Sequence, residues 1–271
     1  MTPPAALEFA AQTDTGLVRS HNEDSIAIST ECGLAIIADG MGGYNAGEVA
    51  SGIATSVLKE LLEIRLLSPQ VMETIDDQSI RDLVVESIAH ANASIIAAAR
   101  AELQYSGMGT TLVAALFHKD NIVTVAHIGD SRAYRLRHDA IEQITRDHSL
   151  VQEQIDAGLV SEEDARFAPN RNLITRAMGV DQDVEVEIHQ HATEPGDIYL
   201  LCSDGLSDML SAHDMLNLVT RAHHSLPAAC EALVQRANEE GGRDNISVVL
   251  IRVPATTPPA GLFGRLVSWI K

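Results

Sequence analysis

The sequence contains few cysteines, few aromatic residues and little positive charge. Its 271 residues include three Cys, 3% aromatic residues and 19 Lys and Arg against 38 Asp and Glu, so the formal net charge is −19. This acid excess argues against diffuse binding of nucleic acid or of an anionic membrane, because both require a cationic face. The charge alone names no function.

The three cysteines, Cys32, Cys202 and Cys230, are widely spaced and form no CxxC pair. Neither a disulfide framework nor a thiolate zinc site is therefore expected, and a reducing compartment fits this composition. The amino-terminal residues lack the basic and apolar segments of a signal peptide. No apolar run approaches the roughly 20 residues that cross a bilayer. We expect a cytoplasmic protein without a membrane span that acts as a monomer.

Apolar residues are plentiful and occur in short, patterned runs. They make up 45% of the chain with a mean hydropathy of +0.03, which supplies a sizeable core and excludes disorder for most residues. Helical spacing predicts helices over about 46–66, 80–102 and 227–240. Strict alternation predicts a half-buried strand at 183–188. Runs of Val, Ile and Leu predict strands at 34–38, 111–117, 122–128, 133–136, 198–202 and 246–253.

The order of these elements indicates the fold class. Clustered strands interrupted by paired helices are typical of an α+β fold and not of alternating βαβ units. We expect one domain over residues 1–253, followed by a proline-rich linker and a short tail at 254–271. The apolar residues of the tail share roughly one helical face, which favours a docked helix over a membrane or partner anchor.

Four aspartates stand at the ends of apolar runs and next to glycines: Asp39, Asp130, Asp204 and Asp244. Taken singly, each is typical of a turn aspartate. Delivered to a common edge, however, four carboxylates repel one another unless a cation is present. Carboxylates and a backbone carbonyl, without His or Cys, suit Mg²⁺ or Mn²⁺. Two such ions roughly 3.5–4 Å apart can hold a bridging hydroxide and polarise a phosphoryl oxygen.

Eight short motifs extend this pattern over nearly the whole chain. They are RSHNED at 19–24, DGMGG at 39–43, GTT at 109–111, GDSR at 129–132, TRDHS at 145–149, TRAMG at 175–179, SDG at 203–205 and RDNIS at 243–247. In this order the motifs resemble those of the metal-dependent protein phosphatases, the PPM or type 2C serine/threonine phosphatases, and most closely their compact bacterial members. The resemblance implies a four-layer α/β/β/α sandwich, two antiparallel sheets flanked by helix pairs, with a binuclear metal centre at one edge.

The resemblance also implies roles for individual residues. Asp39 would bridge two Mn²⁺ or Mg²⁺ ions, and Gly40 would offer its carbonyl. Asp204 and Asp244 would bind the same ions directly. Asp24 would act through water, and Asp130 would share a third ion with Asp204. Arg19 would bind the substrate phosphate, because its guanidinium fork matches two phosphate oxygens.

The mechanism implied by the family is direct attack of the metal-bridging hydroxide on phosphorus, with Arg19 and Asp39 as the catalytic residues. Some relatives carry a histidine, the suggested general acid, where this chain has Met41. His21 is one substitute, although a solvated or core histidine is the more frequent case. Residues 150–172 correspond to the flap of the family, and their pattern predicts two short helices joined at Gly158.

We therefore expect a phosphatase acting on phosphoserine and phosphothreonine in proteins, opposing a bacterial Ser/Thr kinase. Two alternatives are open at this point. A non-catalytic phospho-binding relative would not require the full set of metal-binding residues. A phosphodiesterase or nuclease would require a basic or aromatic surface, which the sequence lacks.

Overall fold

Two antiparallel β-sheets form the centre of the protein. The computed structural model describes residues 7–43, 45–68, 76–118, 121–165, 168, 172–222 and 225–255. Of the expected linker and tail at 254–271, residues 256–271 lie outside the described part of the chain. In the described part, one sheet has the strand order β1-β11-β10-β7-β8, and the other has the order β2-β3-β5-β6-β9 with β4 paired to β3. The strands are β1 (Glu8–Asp14), β2 (Asp24–Ser29), β3 (Leu34–Met41), β4 (Gly109–Thr110), β5 (Leu112–His118), β6 (Ile122–Ile128), β7 (Arg132–Arg137), β8 (Ala140–Gln143), β9 (Glu187–Ala192), β10 (Ile198–Cys202) and β11 (Ile246–Arg252).

Helices cover the outer face of each sheet and complete the expected four layers. Two long helices pack on the sheet that contains β3, and two others pack on the sheet that contains β11. A third apolar cluster lies between the sheets. The helices are α1 (Ala46–Leu66), α2 (Asp77–Ala101), α3 (Leu150–Asp156), α4 (Glu162–Ala165), α5 (Asp204–Ser207), α6 (Ala212–Arg221) and α7 (Leu226–Glu239), with a 3₁₀ turn at Leu103–Tyr105.

The long helices agree with their sequence patterns, with one correction of the buried face. Helix α2 begins three residues before the predicted start, because the Asp76 side chain accepts a hydrogen bond from the Ser79 N–H and caps it. In α1 the residues that are fully buried include Ala50, Ala54 and Leu58. The larger Val49, Ile53 and Val57, which carry the periodicity, are only partly buried. Small residues thus let the helix backbone approach the sheet.

The strand predicted at 183–188 is wrong for residues 183–186, and only Glu187 and Ile188 lie in a strand. Strand β9 begins at Glu187 and continues to Ala192. Its partner β6 ends at Ile128, where Gly129 turns the chain with φ +96°, so residues before Glu187 find no ladder on β6. The alternation at 183–186 nevertheless corresponds to burial, because Asp183 is exposed and Val184 packs against the helix-covered core.

Several strand ends meet at one edge of the sandwich. Strand β2 begins at Asp24 directly opposite Asp39, near the end of β3. Strand β10 ends at Cys202 just before Asp204, and β11 begins at Ile246 just after Asp244. The antiparallel ladders therefore deliver acidic residues from three separated segments to the same place. Among the described residues, we find no helix with the length and apolarity needed to cross a membrane.

Candidate metal centre

The backbone of Asp39 is held by Thr110, the last residue of β4, and by Thr111, which follows it. The Asp39 N–H donates to Thr111 Oγ1 at 3.1 Å, and Thr110 Oγ1 donates to the Asp39 carbonyl at 2.8 Å. Thr111 Oγ1 also lies 2.7 Å from Oγ of Ser131, in the turn that carries Asp130. A small hydroxyl network therefore sets the position of β3 relative to the turn after β6.

Ser203, the residue before Asp204, links Asp24 to the start of β11. The Ser203 hydroxyl donates to Asp24 Oδ2 at 2.8 Å, and the Ser247 N–H donates to Ser203 Oγ at 3.0 Å. Asn245 adds a second link, because its Oδ1 accepts the Glu23 N–H at 2.8 Å. Ser203 and Asn245 lie within the motifs named above, but their positioning role has no signal in the sequence.

Two glycines allow the segments to approach closely. A Cβ on Gly40 would lie 2.1 Å from the Gly47 carbonyl oxygen, and a Cβ on Gly205 would lie 2.0 Å from the Asn245 carbonyl oxygen. Neither position has space for a side chain, so glycine is required for Asp39 and Asp204 to sit beside their neighbours.

The electrostatics of this edge are unfavourable without a cation. Burial, followed by repulsion from neighbouring carboxylates, raises the pKa values of Asp39 and Asp204 well above the ordinary range. The repelling neighbours of Asp39 are Asp24, Asp204, Asp130 and Asp244, which shows that the structure brings all five predicted aspartates together. Burial is also the main cause that raises the pKa of Asp24 to about 6 and that of Asp130 to about 7.

Three buried oxygens in this group lack partners. Within the described residues, Oδ1 of Asp24, Oδ1 of Asp130 and Oδ1 of Asp204 accept no hydrogen bond. Unsatisfied buried carboxylate oxygens are costly, and a hard divalent cation satisfies them. Because all the atoms that could bind a metal are oxygens, the site fits Mn²⁺ or Mg²⁺, the ions that the sequence predicts. Asp208, which the sequence reasoning missed, adds to the repulsion on Asp204 and lies four residues after it.

Arg19 lies at the exposed side of this group. Its Nη2 donates to Asp244 Oδ2 at 2.6 Å, while half of the arginine side chain (51%) stays exposed. The hydrogen bond to Asp244 is the main cause that raises the pKa of Arg19, so the guanidinium is charged at all accessible pH values. Part of its donor fork therefore faces solvent beside the carboxylates, where an anion can bind.

Neither Met41 nor His21 offers an evident general acid. Met41 pairs with Gly109 across β3 and β4 and has no titratable group. His21 is exposed, with Nδ1 3.0 Å from Ser20 Oγ and Nε2 3.3 Å from Glu23 Oε1. His21 is thus a solvated histidine with polar neighbours.

The segment at 150–172 has the two short helices that its sequence predicts. Helix α3 begins after Ser149, whose Oγ accepts the Gln152 N–H, and Gly158 adopts φ +69°. Ser161 Oγ then accepts the Asp164 N–H at 3.1 Å at the start of α4. Residues 166, 167 and 169–171 lie outside the described part of the chain.

The family assignment follows from sequence and structure comparisons together. The sequence model of the family described as protein phosphatase 2C matches residues 18–250. The chain belongs to the protein phosphatase 2C family. It is 38% identical over 246 residues to a serine/threonine phosphatase named stp from Listeria innocua, covering 89% of this chain and 93% of that protein.

Solved structures of the protein phosphatase 2C family share the fold. The crystal structure of the Mycobacterium tuberculosis serine/threonine phosphatase PstP/Ppp has a TM-score of 0.81 and 36% identity, over 92% of this chain and 100% of that chain. A structure of the catalytic domain of PstP in complex with two manganese ions has a TM-score of 0.78 and 35% identity, over 91% and 98%. The expected α+β sandwich is thus confirmed, and the chain is a metal-dependent phosphoprotein phosphatase.

Proposed function

We propose that the chain hydrolyses phosphoserine and phosphothreonine in proteins at the carboxylate edge described above. The observation that carries the proposal is the convergence of five aspartates, three of which present a buried oxygen without a partner. The names of the relatives, which are serine/threonine phosphatases, support the substrate class.

We assign the metal-binding roles as follows. Asp39, the aspartate that is repelled by the other four, and the Gly40 carbonyl would hold the two Mn²⁺ or Mg²⁺ ions. Asp204 and Asp244 bind the ions directly. Asp24, which is held by Ser203, would act through water, and Asp130 together with Asp204 would hold a third ion.

The chemistry divides between the ions and the protein. When bound, the ions supply an activated water and polarise the phosphoryl group. Arg19 binds the phosphate with the donors that Asp244 leaves free and offsets charge on the equatorial oxygens. Because Met41 carries no proton to donate, the proton for the departing serine or threonine oxygen would come from water or from another group.

The biological setting completes the proposal. The enzyme opposes a Ser/Thr kinase by acting on that kinase and on its substrates. A cytoplasmic location is supported by the free thiols of Cys32, Cys202 and Cys230. We further propose that the enzyme acts as a monomer. We place the end of the catalytic domain near residue 253, just after β11.

A comparison of two substrates tests the reaction class. Mn²⁺-loaded protein should release phosphate from a phosphothreonine peptide and be far less active on bis(p-nitrophenyl) phosphate, a diester. Faster hydrolysis of the diester would instead favour the phosphodiesterase alternative. An inactive protein that still binds the phosphopeptide would favour the non-catalytic alternative.

A further inference from the structure

A second group of side chains that could hold a metal ion lies on β6 and β9 and shares no residue with the five aspartates. His127 on β6 is paired directly with Glu187 on β9, and His189 follows Glu187 on the same face of the strand. One ligand atom from each of these three residues lies within 4.8 Å of the other two. This face looks toward the second sheet, because the neighbouring Val125 belongs to the core between the sheets.

His127 has one ring nitrogen that is free to bind an ion. The residue is fully buried, and its Nε2 lies 2.8 Å from the Arg146 carbonyl oxygen, so Nε2 carries the proton. Its Nδ1 is buried and has no hydrogen-bond partner among the described residues. Burial is the main cause that lowers the pKa of His127 to about 4, so the ring is neutral near pH 7. A neutral imidazole with one nitrogen held by a carbonyl is prepared to bind a metal ion with the other.

Glu187 is oriented by a partner in the same way. The Gly129 N–H donates to His148 Nδ1 at 3.2 Å, so His148 Nε2 carries the proton and donates to Glu187 Oε2 at 3.2 Å. The other oxygen, Oε1, lies 2.8 Å from His189 Nε2. Burial alone would raise the pKa of Glu187, but the hydrogen bonds from the two histidines outweigh it and lower that pKa.

We propose that His127, Glu187 and His189 form a Zn²⁺ site separate from the carboxylate centre. Two imidazole nitrogens and one carboxylate oxygen suit this borderline ion, whereas the aspartate edge offers only oxygen and suits harder ions. To bind one ion at roughly 2.0–2.2 Å, the three ligand atoms must move closer to one another. The His189 side chain, which is 32% exposed, has room to rotate.

Stacking of the histidine rings explains less of this arrangement than a bound metal ion does. The His127 and His148 rings stack with centroids 4.7 Å apart, which accounts for their mutual orientation. It leaves the buried Nδ1 of His127 unsatisfied, whereas a bound ion satisfies it. Such an ion would join β9, the strand that follows the flap, to β6, which ends two residues before Asp130.

The test measures Zn²⁺ binding by equilibrium dialysis of the full chain in excess Mn²⁺. His189→Gln removes one ligand, and His90→Gln, on the exposed side of α2, is the matched control. Wild type and the control should bind one Zn²⁺ more than His189→Gln, which should lose at least about 100-fold in affinity. His148→Gln, which removes only the orienting partner, should lose about 10–100-fold. Any displacement of Mn²⁺ from the aspartates by Zn²⁺ occurs to the same extent in every variant, so this binding does not change the difference between variants.

A spectroscopic measurement on the unmodified chain keeps the test independent of folding. Pulsed EPR of bound Cu²⁺, with Mn²⁺ replaced by Mg²⁺, should detect two imidazole nitrogens. Equal Zn²⁺ binding by His189→Gln and His90→Gln, or a Cu²⁺ spectrum without imidazole coupling, would overturn the proposal.

Discussion

Arg19 Nη2 and Asp244 Oδ2 lie 2.6 Å apart, so the residue that we assign to phosphate is held by a residue that we assign to metal. The two side chains come from opposite ends of the sequence, and the arginine remains half exposed. A charge-assisted hydrogen bond of this length fixes the guanidinium at the mouth of the site. The position of Arg19 therefore depends on Asp244, whereas Asp244 also has the Asn245 N–H as a partner at 2.9 Å.

Arg19→Ala should raise KM for a phosphothreonine peptide by about 10–100-fold, the range expected for losing one or two hydrogen bonds to a charged group. The affinity for Mn²⁺ should change little, because no metal-binding oxygen is removed. Arg236→Ala, which removes an exposed arginine on α7, is the control and should leave KM unchanged. Steady-state kinetics with a Mn²⁺ titration separate the two effects. Weakened Mn²⁺ binding as the main defect would contradict the assigned role.

Asp204→Asn should abolish turnover and yet stabilise the metal-free protein. The substitution removes a carboxyl group whose charged form is disfavoured by burial and by the neighbouring carboxylates. For a chain of this size, each kcal/mol gained raises Tm by about 2–4 °C. Asp183→Asn removes an exposed acid and serves as the control for both activity and Tm. Near-normal turnover in Asp204→Asn would show that the metal site is assigned to the wrong residues.

The stability of the metal-free protein should fall as the pH rises from about 4 to 7. The carboxyl pKa values of Asp24 and Asp130 are raised from 3.8 to about 6 and about 7, so the folded state binds more protons than the unfolded state in this window. The free energy of unfolding therefore decreases with pH. Chemical denaturation at several pH values measures this slope, and saturating Mn²⁺ should remove it. A metal-free slope of the opposite sign would contradict the clustering of the carboxylates.

Gly205→Ala should destabilise the protein by several kcal/mol, because its Cβ would lie 2.0 Å from a backbone oxygen. The backbone must shift, which displaces the adjacent Asp204 and weakens Mn²⁺ binding. Gly52→Ala, within α1, meets no atom within 4 Å and should instead stabilise by up to about 1 kcal/mol. Urea denaturation compares the two variants, and an equal effect of both would refute the close approach.

The sequence predicted elements whose signal is local and missed those that depend on a distant partner. Strand β6 is a continuous apolar run and was located correctly. Strand β1 has the sequence EFAAQTD with only Ala10 fully buried, so little in it suggests a strand, and pairing with β11 decides its structure. The error at 183–188 has the same cause, because the register on β6 determines where β9 begins.

The candidate site shows the same division. Asp39, Asp204 and Asp244 could be selected from short motifs, because glycines and apolar strands flank them. The contact of Ser203 with Asp24 spans 179 positions and follows only from the packing of the two sheets. The pairing of His127 with Glu187 likewise depends on strand register and has no local signal.

Metal removal and return test the central claim most directly. The full chain is stripped with a chelator, freed of it, and incubated with a phosphothreonine peptide before and after Mn²⁺ is added. We expect no phosphate release without metal and full release after Mn²⁺ is returned, with Asp204→Asn inactive in both conditions. Release that persists in the stripped protein, or that Mn²⁺ fails to restore in a folded sample, would contradict a metal-dependent phosphatase built on these aspartates.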